Sequence, residues 1–131
     1  MSEKPLLMTG RRRFSLWAPA VAYAAFIFFL SSLQGSGIPT LFSHADKIEH
    51  ILLYLPFGFL VGRALGAGGR RGALRVAFFV VSLYALSDEF HQLFVPERTF
   101  SLWDWAADIV GAAAGIRLYH GKNRSFSQHP L

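Results

Sequence analysis

The sequence has no cysteine, which excludes disulfides and thiolate-held metal sites while leaving the compartment open. Charge is nearly as scarce. Asp, Glu, Lys and Arg make up 16% of the residues against 53% hydrophobic, too little polar surface to keep a 131-residue soluble bundle solvated. Acidic residues number only eight, beside thirteen Lys and Arg. There is no internal repeat, no long linker, no phosphate-cradling loop and no likeness to a coenzyme A site. Without an H-x-x-x-H or H-x-x-E pairing on one helix, neither a metal nor a cofactor is expected. A metal-binding variant would have to draw on His50, His91 and the carboxylates.

What the chain does have is four apolar runs: Phe14 to Leu33, Ile48 to Leu65, Ala73 to Phe94 and Leu102 to Tyr119. A bilayer core about 30 Å thick needs ~20 helical residues at ~1.5 Å rise, so each run can span it. The expected fold is therefore all-α, an integral membrane bundle of four transmembrane helices. A basic N-terminus (1–13) precedes the bundle (14–119), and a polar tail (120–131) expected to fray follows it. Arg11 to Arg13 before the first run resemble the start of a secretory signal. The run is longer than such a signal's apolar core and no small-x-small site follows, so it reads as a retained anchor.

The charges are segregated. Eleven Lys and Arg, Arg63, Arg70, Arg71, Arg75 and Arg117 among them, fall at one end of the runs with Glu3 alone for company. The other end holds Lys47 and Arg98 against Asp46, Glu49, Asp88, Glu89, Glu97, Asp104 and Asp108. Positive residues stay on the cytoplasmic side, so both termini are expected inside and the acidic end outside, in the cytoplasmic (inner) membrane. The same distribution removes the nucleic-acid partner that a pI near 10.1 invites, because the basic residues are spread over loops instead of gathered on a surface. They read as topology signals that can also touch anionic headgroups of the bilayer.

Polar residues inside the runs carry the functional signal. Lys47, His50 and Tyr54, at i, i+3 and i+7, share a helix face. Ser43 and Asp46 fit an N-cap with its acidic partner. Pro56 should kink the helix by removing the bond to the Leu52 carbonyl. Asp88 and Glu89 lie five or six residues inside the third run, roughly 8–9 Å below its end. A carboxylate at the bilayer centre costs on the order of 2.5–3.5 kcal/mol, so both need buried partners, and with Gln92 they should face the bundle interior. Arg98 is either their counter-ion or a fork for an anionic headgroup. Ser101, just before the fourth run, and Asp104, Asp108, Gly111 and Gly115 within it form one stripe. Ser101 reads as a cap, and the G-x-x-x-G allows close helix approach, within the chain or across a homo-oligomer. Together these stripes would line a water-accessible pocket in the outer half of the membrane.

The combination Asp46-Lys47-x-x-His50-x-x-x-Tyr54, Ser87-Asp88-Glu89-x-x-Gln92 and Pro96-x-Arg98-x-x-Ser101-x-x-Asp104-x-x-x-Asp108-x-x-Gly111-x-x-x-Gly115 resembles the VanZ-like family of bacterial membrane proteins. The resemblance runs from about Phe28 to Gly115 and includes Ser31-Ser32. It departs at Glu97, where the family often has Gly in a P-G-R turn, and at Asp108, where it usually has Asn. The family is named for a protein associated with resistance to teicoplanin, which acts at the outer face of the cytoplasmic membrane. The resemblance thus implies an antibiotic-resistance or cell-envelope role without fixing a reaction. Two classes follow. One is an enzyme acting on a lipid headgroup or cell-wall precursor: Glu89 or His50 as acid or base, Asp88 orienting His50 or Lys47, and Lys47, Tyr54, Gln92, Arg98, Asp104 and Asp108 binding the substrate. The other is a non-catalytic protein that binds a lipid or lipoglycopeptide.

Overall fold

Apolar runs broken by Gly, Pro and Ser become four helices in the computed structural model, which describes residues 9–33 and 45–127. They are α1 (Gly10–Ser31), α2 (Ala45–Gly66), α3 (Ala73–Gln92) and α4 (Leu102–Ser127), with no strand among the described residues. The N-terminal residues 1–8, the connection 34–44 with the expected cap at Ser43, and the tail from 128 lie outside the described residues. Two helices, α1 and Asp46–Gly66 of α2, are long and apolar enough to cross a membrane by composition alone.

Helix α2 is continuous through Pro56. Its Leu53 carbonyl accepts a bond from Tyr23 Oη at 2.8 Å, which ties α1 to α2. Two helix ends differ from the sequence reading. Helix α3 stops at Gln92 because Leu93, Phe94 and Val95 turn the chain with i to i+3 bonds. Asp88 and Glu89 therefore sit about one turn from its end, shallower than the sequence implied. Helix α4 does not stop near Tyr119; residues 120–127 continue it, with Arg124 in the last turn where a cation complements the helix dipole.

The turns explain the breaks. Between α2 and α3, Gly69 and Gly72 take φ of 64° and 79°, a region that side chains strain to enter. Between α3 and α4 the same backbone conformation falls on Glu97, at φ 62°.

Packing is tightest between α2 and α4; α3 lies against both, and α1 against α2 and, more slightly, α3. Glycines set that closeness: Gly111 lies on the Ile51 backbone and Gly115 on those of Leu55 and Phe59, while Gly58 in return meets Ala112. The G-x-x-x-G stripe thus works within the chain, against α2. Aromatic donors tie α3 to α1 and α4 to α3: Tyr84 Oη donates to the Ala24 carbonyl at 2.5 Å and Trp105 Nε1 to the Ser82 carbonyl at 3.1 Å.

The outside of the bundle is apolar on every helix. Phe14, Val21 and Phe29 of α1, Leu52 of α2, Phe79 and Leu83 of α3, and Trp103 and Val110 of α4 are exposed, while Glu89 and Asp108 are wholly buried. Large exposed apolar surface over a buried polar centre is the reverse of a water-soluble domain.

Candidate functional site

Charge is separated along the bundle. Arg12, Arg63 and Lys122 border an open cleft of about 960 Å³ at one end, and Arg75 and Arg117 border a smaller one nearby. The acidic residues collect at the opposite end, where α2, α3 and α4 converge.

The face of α2 points into this end in order of depth. Lys47, at the rim, pairs with Asp46 at 2.7 Å and with Asp104 of α4. One turn further, His50 Nδ1 lies 2.7 Å from Asp108 Oδ1, and its Nε2 faces Asp104 Oδ2 at 4.0 Å. Tyr54, deeper again and fully buried, donates to Asp88 Oδ2 at 3.4 Å. Exposure of the side chains falls along this line, from 34% for Lys47 to 16% for His50 and Asp104 and 0% for Asp108. The cluster is thus accessible at its rim and buried at its depth.

Helix α3 contributes Asp88, Glu89 and Gln92, all turned inward. Glu89 Oε2 accepts the Ser101 N–H at 3.0 Å, anchoring the start of α4, and Ser101 Oγ in turn accepts the Asp104 N–H at 3.3 Å. Ser101 acts there as the cap its spacing implied. Gln92 donates to Ser31 of α1 at 3.4 Å. Three carboxylate oxygens, Asp88 Oδ1, Glu89 Oε1 and Asp108 Oδ2, are buried with no hydrogen-bond partner. Buried polar atoms are rarely left so, and three in one cluster mark a place where something else is to be bound or a proton is to be held.

Not every candidate joins the cluster in its expected role. The residue that orients His50 is Asp108, not Asp88: Asp88 sits at the depth of Tyr54, one turn below the imidazole. Arg98 pairs with no carboxylate among the described residues; its Nε, one of five guanidinium N–H groups, donates to the Leu33 carbonyl at 3.2 Å, tying the α3–α4 turn to the stretch just beyond α1. His91 faces α1, stacked on Phe28 at 4.5 Å and 3.0 Å from Ser32 Oγ, so it cannot share a metal with His50. Ser87 faces outward and bonds back to the Tyr84 carbonyl. Sequence reasoning overlooked the roles of Tyr23, Tyr84 and Trp105, whose only signal is that each is an aromatic donor inside an apolar run.

The described residues form an all-helical protein with two helices apolar enough to cross a membrane and a cluster of buried carboxylates at one end. A family model described as VanZ/LLP1 matches residues 8–123, nearly the whole chain, and the protein belongs to that family. No curated protein and no solved structure matches it.

Proposed function

We propose that the chain is a four-span protein of the cytoplasmic membrane, with both termini inside, whose acidic cluster faces outward and acts on the polar headgroup of a lipid or envelope precursor. The exposed apolar residues on all four helices support four spans. Helices α3 and α4 look less apolar in sequence because they carry Asp88, Glu89 and Asp108, which the bundle hides from lipid. The observation that carries the functional reading is the His50–Asp108 pair beside Glu89, whose Oε1 has no partner. Asp108 accepts the Nδ1 proton and leaves Nε2 as a base, and Glu89 supplies a second proton site. Lys47 is held by two carboxylates, whereas Arg98 gives only its Nε to a backbone carbonyl, so of the two cations Arg98 has the more donor capacity left for an anion. Reduced susceptibility to teicoplanin, in line with the family's association, would follow from an altered surface lipid or wall precursor.

A second reading, binding without chemistry, is favoured by one fact: Glu89 has no exposed surface, so a headgroup meets the rim of Lys47, Asp46 and Asp104 first. The two separate in a strain lacking its own relatives, by mass spectrometry of lipids and wall precursors with wild type, Glu89→Gln and Lys47→Ala. Catalysis predicts a species that changes with wild type and not with Glu89→Gln. Binding predicts unchanged species and co-purifying lipid that Lys47→Ala loses. Neither change would count against both.

A further inference from the structure

We propose that His50, Glu89 and Asp104 form a site for one divalent transition-metal ion of the zinc type. One ligand atom from each residue lies within 4.8 Å of the other two. Bonds of about 2.0–2.2 Å place two donors on one zinc ion at most roughly 4.3 Å apart and about 3.4 Å apart in a tetrahedron. His50 Nε2 and Asp104 Oδ2, at 4.0 Å, are too far apart to be hydrogen-bonded yet inside that limit. Closure of about 0.6 Å brings this pair to the tetrahedral spacing, and a pair at the 4.8 Å bound needs about 1.4 Å, a shift within reach of side-chain rotation.

The way each residue is held points the same way. In all three, one polar atom is engaged by the protein: His50 Nδ1 by Asp108, Asp104 Oδ1 by Lys47, and Glu89 Oε2 by the Ser101 N–H. The second polar atom of Glu89 is buried and unpartnered. An imidazole whose far nitrogen is fixed by a carboxylate presents Nε2 with a lone pair, the arrangement that orients histidine toward a metal. The donors come from three different helices, which gives a reason for burying a glutamate in an apolar bundle. Charge agrees as well. Asp88, Glu89, Asp104 and Asp108 meet Lys47 as the one cation bonded within the cluster among the described residues, and a divalent ion offsets that surplus. Nitrogen and oxygen donors without thiolate suit zinc or manganese over softer ions. The 16% exposure of the His50 and Asp104 side chains at the rim leaves a path of entry for the ion.

The inference rests on the same site as the function proposed above and changes its chemistry: Nε2 becomes a ligand, and the ion takes over polarising the headgroup or a bound water. The test is direct binding to the full chain, purified in detergent without a histidine tag, stripped with chelator and dialysed against zinc. The metal is counted by mass spectrometry and the affinity taken by calorimetry. Wild type and His91→Ala are expected to bind one zinc per chain. His50→Ala and the shape-conserving Asp104→Asn should weaken binding by about 100-fold or more, and Asp108→Ala, acting through His50, by about 10–100-fold. Less than about one zinc per five chains in wild type, or undiminished binding in Asp104→Asn, overturns the site. Its failure and that of the functional reading are distinguishable. If zinc is absent but Glu89→Gln still abolishes the lipid change, proton transfer stands and the metal falls. If zinc binds but no lipid or precursor changes, the metal stands and the headgroup reading falls.

Discussion

His50 is the residue on which the account turns, and Asp108 is what makes it usable. Their 2.7 Å contact joins α2 to α4 in a place with little water to replace it. Asp108→Asn keeps an acceptor for Nδ1 and should leave thermal unfolding in micelles within about 1 kcal/mol of wild type. Asp108→Ala strands the imidazole donor and should cost on the order of 1–3 kcal/mol. Equal losses in the two variants would show that the contact is not a working hydrogen bond. Glu97 is the other telling residue. Its φ of 62° explains why a glycine suits this turn, since a Cβ there is crowded. Glu97→Gly and Glu97→Ala both remove the side chain, so their difference isolates the backbone. The glycine variant should be the more stable by about 1 kcal/mol, and a more stable alanine variant would contradict the strain.

Among the elements, the α2–α4 seam carries the sharpest expectation. A Cβ at Gly115 would come within 2.7 Å of the Phe59 amide nitrogen, with no flexible group to give way, whereas one at Gly62 meets its nearest neighbour at 3.6 Å. Gly115→Val should therefore lower stability by on the order of 3 kcal/mol and displace the Asp104–His50 contacts above it, and Gly62→Ala should be tolerated. Comparable unfolding midpoints for the two would refute the seam. Much of this element-level picture was legible beforehand. The 3.6-residue period put Lys47, His50 and Tyr54 on one face and Ser101, Asp104, Asp108, Gly111 and Gly115 on another, and those faces do meet. What periodicity could not supply was register between helices. Whether Asp88 or Asp108 met His50 depended on the heights of α3 and α4 against α2, and the Gly111 and Gly115 contacts set that of α4. The Nε bond of Arg98 was hidden for the same reason: its partner is a backbone carbonyl just beyond α1, which has no signature in sequence.

For the whole molecule, the separation of basic and acidic ends predicts orientation. Because the chain has no cysteine, single reporters are clean. Thr99→Cys, in the α3–α4 turn, should react with an impermeant maleimide on intact cells, and Gly68→Cys, between α2 and α3, only after permeabilisation. The opposite pattern would invert the bundle and put the acidic cluster on the cytoplasmic side. Reaction of neither on intact cells, with both reacting afterwards, would remove the outward face on which the function depends.

The measurement that bears most directly on the central claim, that the acidic cluster is the working part of the protein, is teicoplanin susceptibility in a sensitive host at matched membrane levels of wild type, His50→Ala and His91→Ala. The account predicts protection by wild type and by His91→Ala, whose imidazole packs against α1, and loss of protection in His50→Ala. Equal protection by all three would show that the cluster holds the bundle together and does nothing more, and no protection by wild type would break the link to the glycopeptide.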